Sequence, residues 1–115
     1  MTDDSVLTTA ALVADSLNLR RVPRFRGWTN VRGHGGADAF SLPRWIAEEC
    51  DAYQVYYIVH EVCHALHLGH GKDFKRAERA ALANLGLTIT YRRAYAATLS
   101  TLAGGPLWKH SNPWD

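Results

Sequence analysis

The sequence has little of several features that would assign a protein to a broad class at once. No run of apolar residues approaches the roughly 20 needed to cross a bilayer, so no membrane partner is expected. The start of the chain carries Asp3 and Asp4 where a secretory signal would be basic. Internal repeats, linkers and low-complexity tracts are also lacking. With 47% hydrophobic residues, the 115-residue chain is predicted to form one domain over residues 1–115.

Cysteine is scarce. Cys50 and Cys63 are neither spaced as a metal knuckle nor numerous enough for a disulfide framework. They indicate reduced thiols and a cytoplasmic location. Apolar residues surround Cys63, so a buried structural thiol is preferred there over a nucleophile.

The net charge is also small. The formal net charge of +2 does not by itself indicate a nucleic-acid binder. Positive charge is nevertheless concentrated in six arginines: Arg20, Arg21, Arg24, Arg26, Arg32 and Arg44. One interpretation is a weak nucleic-acid contact between Arg20 and Arg32, or contact with an acidic substrate. A solvated strand face is the other.

The order of the predicted elements indicates an α+β fold. Apolar residues recur at helical spacing near the start, predicting a helix to about Leu19 with an N-cap at Asp3, Asp4 or Ser5. Two short strands are predicted near 22–32 and 37–42, joined at the glycines of 33–36 as an antiparallel sheet. His34 is expected to be a loop histidine, with substrate contact as the less favoured alternative.

A central helix is predicted from Asp51, with Gln54 completing a capping box, to Leu68. It is apolar nearly all round and is therefore expected to be enclosed. Gly69 is expected to end it in a left-handed conformation.

Two further helices should follow the central one. The third is predicted from a cap at Asp73 to about Leu85, with Glu78 pointing inward, and Gly86 ends it. The fourth begins near Tyr91. After it, Trp108 and Trp114 belong to a segment predicted to be either a docked tail or a frayed end.

The segment His60–Glu61–Val62–Cys63–His64 contains the residues that predict a metal site. Residues four apart on a helix are about 40° apart around the axis and about 6 Å apart along it, so His60 and His64 can aim at one metal. Glu61 is about 100° away, beside the site but poorly placed to ligate. It is therefore a candidate base for hydrolysis at a zinc ion, which is the physical content of H-E-x-x-H.

A third ligand is needed, and three residues are candidates. His67 is about 10 Å along the axis from His60, so a supporting or packing role is expected. His70 follows Gly69 and can approach from another direction, which would leave a fourth position open. His70 is favoured, and Glu78 is the alternative, either as ligand or as an acceptor that orients a histidine.

The residues from Trp28 through Phe40–Ser41–Leu42 and the H-E-x-x-H motif to His70–Gly71–Lys72–Asp73–Phe74 resemble SprT-like and YgjP-like zinc metallopeptidases, over roughly residues 28–86. The resemblance implies a small zincin-like domain. It further implies that His60, His64 and His70 bind Zn²⁺ and that Glu61 activates water for peptide hydrolysis. Some SprT-like proteases act on DNA-bound proteins, and in such a protease the arginines would contact the DNA.

Two functions are therefore expected from the sequence. The first is a zinc metallopeptidase acting on a protein or peptide, with an oxyanion donor drawn from Tyr91, Arg92, Tyr95 or His110. The alternative is a non-catalytic, zinc-stabilised module that binds protein or DNA. Glu61 favours the enzyme, because a structural zinc has no use for it and commonly has four protein ligands. Oligomeric state is not predicted.

Overall fold

The computed structural model describes residues 1–105, which form four α-helices and a three-stranded mixed sheet. The elements in chain order are α1 (Asp3–Ser16), β1 (Arg24–Thr29), β2 (His34–Gly35), β3 (Ala39–Pro43), a short 3₁₀ helix (Arg44–Glu48), α2 (Asp51–Cys63), α3 (Lys72–Asn84) and α4 (Tyr91–Leu102). The α+β class and the four helices are confirmed. Over the described range, no helix combines the length and apolarity that crossing a membrane requires.

The sheet corrects the predicted strand pairing. Its order is β1-β3-β2, with β1 parallel to β3 and β2 antiparallel to β3. A single tight turn at the glycines would have made β1 and β3 an antiparallel hairpin. Instead the glycine segment itself forms β2, the edge strand that takes the antiparallel place beside β3. His34 therefore lies in a strand, and its prediction as a loop residue was wrong.

Helix α1 packs by its predicted stripe. Val6, Ala10 and Val13 are fully buried. Its N-cap is Thr2, whose hydroxyl accepts from the Ser5 backbone N–H at 3.1 Å while the Thr2 N–H donates to the Ser5 hydroxyl. The predicted cap is thus displaced by at least one residue. The helix ends at Ser16 and does not reach Leu19.

Helix α2 is the centre of the fold and contacts α1, α3, β2 and β3. Its enclosure is confirmed, since Tyr53, Ile58, Val59 and Val62 are fully buried. The predicted capping box is wrong: Cys50 is the N-cap, without a side-chain cap bond. The Gln54 side-chain amide instead donates to the carbonyls of Ala47 and Glu49, tying α2 to the preceding turn.

The end of α2 also differs from the prediction. The helix stops at Cys63, not Leu68, and Gly69 is not in the left-handed region. The His64 Nδ1 lies 2.8 Å from the His67 carbonyl oxygen. In a continuing helix that carbonyl would point away, along the axis. The early stop therefore gives the buried His64 imidazole an acceptor that a continuing helix would not place there.

Helices α3 and α4 close the other side of the core. Gly71 is the N-cap of α3, so Asp73 lies in the first turn and is not the cap. Glu78 points inward as predicted and is 1% exposed. Gly86 follows α3 with φ +80°, as expected for the residue that ends it. The predictions for Trp108, His110 and Trp114 fall outside the described residues.

Candidate metal centre

Three histidines from different parts of the chain meet at one point. His60 comes from the last turn of α2, His64 is its C-cap, and His70 lies in the loop before α3. One nitrogen from each lies within 4.8 Å of the others, and the Nε2 atoms of His60 and His70 are 3.2 Å apart. The structure therefore brings together the three residues predicted as ligands.

Hydrogen bonds fix which nitrogen of His60 faces this point. Its Nδ1 lies 2.8 Å from the Glu78 Oε2, and the other oxygen of Glu78 accepts from the Tyr56 hydroxyl at 3.3 Å. This contact occupies the Nδ1 side of the ring, so the Nε2 of His60 is the nitrogen that faces the cluster. In a neutral ring whose Nδ1–H donates to Glu78, that Nε2 carries the lone pair.

His64 is oriented in the same way by a different acceptor. A carbonyl oxygen only accepts, so its 2.8 Å contact identifies the His64 Nδ1 as the donor and His67 as the acceptor. The Nε2 of His64 then carries the lone pair. His67 supports the site, as predicted, but does so through its backbone carbonyl.

Glu78 is placed as an acceptor for a histidine and not as a member of the histidine cluster. It bonds the Nδ1 of His60, on the side of the ring away from the histidine cluster. A carboxylate in this position fixes the tautomer and raises the basicity of the imidazole. The geometry thus favours His70 as the third ligand and Glu78 as the acceptor that orients His60.

The electrostatic surroundings keep two of the rings in their metal-binding form. Burial lowers the pKa of His64 and outweighs the bond to the His67 carbonyl, which raises it; nearby His60 also lowers it. Burial, followed by the His60 and His64 rings and Lys75, lowers the pKa of His70. Both imidazoles are therefore neutral at pH 7, as metal coordination requires.

Glu61 lies beside the cluster and is 4% exposed. Its Oε1 is 4.0 Å from the His64 Nε2. Burial raises the pKa of the Glu61 carboxyl to about 7; His60 opposes this and Glu78 adds to it. A carboxyl with a pKa near the working pH can both take and return a proton.

Gly33, just before strand β2, and Gly35, within it, pack directly on these groups. A Cβ on Gly33 would collide with the Glu61 carboxylate and would lie 2.9 Å from the Tyr57 ring. A Cβ on Gly35 would collide with the Glu61 carbonyl and would lie 2.8 Å from the His64 Cβ. The sequence indicated only a turn at these glycines. It could not indicate that the backbone of Gly33 and Gly35 lies so close to α2 that only glycine fits.

Gly35→Ala is expected to lower the free energy of unfolding by about 1–3 kcal/mol, since the added methyl overpacks the contact between β2 and α2. The displaced His64 should also weaken zinc binding. Gly36→Ala is the matched control, because its Cβ would meet only the Ala39 carbonyl oxygen at 3.9 Å. Urea denaturation and zinc titration of both variants check this. Equal stability and affinity in the two would contradict close packing at Gly35.

A cavity of about 320 Å³ opens over the histidines, between β2 and α4. Arg32 and His34 line it on the sheet side, and Tyr91 and Tyr95 on the helix side. The Tyr91 ring centroid is 5.5 Å from that of His70, and burial raises the pKa of its hydroxyl, which therefore remains a donor at neutral pH.

The other oxyanion candidates are placed differently. Arg92 lines a separate pocket with Lys75 and Arg79, and His110 lies outside the described residues. Tyr91 and Tyr95 are thus the two predicted donors that line the histidine cavity.

The cysteine and arginine predictions have separate outcomes. Cys63 is fully buried, and burial raises its pKa to about 12, which confirms an inert structural thiol. All six arginines, Arg20, Arg21, Arg24, Arg26, Arg32 and Arg44, are exposed, and Arg32 also lines the cavity. Nucleic-acid contact by these arginines stays a prediction.

Comparison with known proteins found no matching family model, no matching curated protein and no matching solved structure. The similarity to SprT-like peptidases therefore remains a resemblance of short motifs. What the chain can do chemically follows from the donor set, the buried carboxylate and the cavity above them.

Proposed function

We propose that this chain is a zinc-dependent metallopeptidase of SprT-like, zincin-like type, with Glu61 as general base. One observation carries the proposal. Three imidazole nitrogens converge within 4.8 Å, beside a buried carboxylate, at the floor of an open cavity. Two of these imidazoles have acceptors at their Nδ1 atoms, which leaves their Nε2 atoms available to a cation.

The donor set fits zinc. Imidazole is a preferred zinc ligand, and nitrogens at about 2.0–2.1 Å around a tetrahedral ion lie about 3.3 Å from one another. The His60 and His70 nitrogens are already 3.2 Å apart. Three protein ligands leave one position open, which is typical of catalytic sites. His60, His64 and His70 would hold the ion.

A zinc ion at this site would supply Lewis-acid chemistry, activating water and polarising the scissile carbonyl. Glu61, buried beside the histidines, accepts the proton of the attacking water and returns it to the leaving amine. Tyr91 and Tyr95 are the hydroxyl donors available to the developing oxyanion. Glu78 keeps His60 in the tautomer that ligates.

The proposed substrate is an extended peptide. Strand β2 is at the edge of the sheet, and both of its residues, His34 and Gly35, line the cavity. An exposed strand edge can pair with the backbone of an added strand. A protein associated with nucleic acid is a narrower possibility, supported by the exposed arginines Arg20, Arg24 and Arg26. A cytoplasmic location belongs to the same proposal.

Metal removal tests this function. The zinc-loaded full chain is expected to cleave an unfolded protein such as reduced casein, to lose that activity after chelation, and to regain it when zinc is added back. Gel electrophoresis and mass spectrometry of the fragments provide the measurement. Circular dichroism of the chelated protein controls for unfolding. Cleavage that persists after chelation, or none by the loaded protein, would contradict the proposal.

A further inference from the structure

Large apolar side chains are exposed around the histidine cavity. Leu68 is 80% exposed, and Tyr95, Leu99 and Leu102 are 53%, 48% and 36% exposed. All four line the cavity that contains the histidines. They are called the apolar wall below. Isolated exposed leucines are ordinary, but four lining one cavity are typical of a binding surface.

Helix α4 is turned so that its larger apolar residues face this cavity. Its buried residues are Ala94 and Ala97, whereas Tyr95, Leu99 and Leu102 are on the cavity side. A helix that only covered a core would bury the larger residues, because their burial contributes most to stability.

Hydrogen bonds to α2 hold α4 in this orientation. The hydroxyls of Thr98 and Thr101 lie 3.3 and 3.4 Å from the Tyr53 hydroxyl on α2. Tyr53 is itself fully buried, so this contact ties α4 to the core. The exposure of the apolar wall is therefore set by the fold.

The cavity has two unlike sides. The apolar wall occupies the α4 side, while Arg32 and His34 occupy the β2 side. A ligand that uses both sides must combine an apolar group with a polar backbone or polar groups. A peptide has this combination. At about 320 Å³, the cavity has room for a side chain and its neighbouring peptide bond but not for a folded domain.

We infer that the apolar wall binds one large apolar side chain, such as leucine or phenylalanine, of a peptide that lies across the histidines. The inference rests on the proposed peptidase function and adds a substrate class to it. We choose a substrate peptide as the occupant because the apolar wall and the histidines line the same cavity. Selectivity then comes from burying apolar surface beside the bond that is cut.

Paired peptides that differ only by leucine or aspartate test this inference. The residue is moved through the three positions on each side of the scissile bond. At one position, kcat/KM for the leucine peptide should exceed that for the aspartate peptide by at least about tenfold. The double variant Leu99→Ser, Leu102→Ser should bring the ratio close to one. Leu12→Ser is the control: Leu12 is 55% exposed on α1 and does not line the cavity.

A binding measurement separates failure of this inference from failure of the peptidase proposal. In the zinc-loaded Glu61→Gln chain, the leucine peptide should shift the methyl NMR signals of Leu68, Leu99 and Leu102 but not of Leu12. If the parent cuts no peptide, the peptidase proposal fails and these shifts alone decide whether the wall binds.

Three results would overturn the inference. The first is an equal rate for the leucine and aspartate peptides at every position. The second is an absence of methyl shifts at the wall. The third is a double variant that cuts both peptides faster by the same factor, which would mean that another part of the chain occupies the wall.

Discussion

Glu61→Gln is expected to lower kcat/KM for peptide hydrolysis by about 10²–10⁴-fold while leaving the zinc content unchanged. Glutamine has the same shape, so it preserves the close packing against Gly33, but its amide cannot take a proton from water. The three converging nitrogens belong to the histidines, so the metal does not depend on the Glu61 carboxylate. Steady-state kinetics and metal analysis of the same preparation provide the measurement.

Glu48→Gln is the matched control for that substitution. Glu48 lies exposed in the short 3₁₀ helix and does not line the histidine cavity. Its replacement removes the same charge and should leave kcat/KM unchanged. If Glu61→Gln retained full activity, Glu61 would not be the base. If it lost both zinc and fold, the carboxylate would have a structural role that neither the peptidase nor the binding-module alternative predicts.

The second large effect is expected from His70→Ala, which should weaken zinc binding by more than about 100-fold. Removing a residue that only hydrogen-bonds to a ligand typically weakens metal binding 10–100-fold. The loss expected here is larger because His70 is itself a proposed ligand. His70 is exposed and precedes α3, so the fold should remain. Competition with a chromophoric chelator measures the affinity, and thermal denaturation of the metal-free protein checks the fold.

Two further variants sharpen this result. Glu78→Gln keeps the shape but weakens the orientation of His60, so a loss of about 10–100-fold is expected. His67→Ala keeps the backbone carbonyl that bonds His64 and should bind zinc like the parent. A larger loss in Glu78→Gln than in His70→Ala would make Glu78 the third ligand. A large loss in His67→Ala would contradict the carbonyl assignment.

The convergence of His60 and His64 was predictable because it depends on local helix geometry. His70 reaches the same point although Gly69 does not take the left-handed conformation from which its position was predicted. His64 keeps right-handed helical angles, φ −65° and ψ −12°, so the four-residue spacing from His60 holds although α2 has already ended. The inward position of Glu78 followed from its place in the apolar stripe of α3. Neither prediction required knowledge of distant contacts.

Predictions that depended on distant contacts failed or were missing. The path of β2 over α2 places Gly33 and Gly35 against Glu61 and His64, and nothing near these glycines in sequence indicates it. The parallel pairing of β1 with β3 is similarly non-local. The stop of α2 at Cys63 is a local failure: the buried His64 imidazole lies 2.8 Å from the His67 carbonyl three residues ahead, an arrangement that the continuous helical pattern of the sequence does not indicate.

The proposed hydrolysis depends first on whether His60, His64 and His70 hold a metal. Its most direct test is the metal content of the purified full chain after equilibration with zinc and removal of unbound ion. About one zinc per chain is expected in the parent and in His67→Ala, and much less in His70→Ala. A parent protein that retains no zinc would contradict the account at its centre.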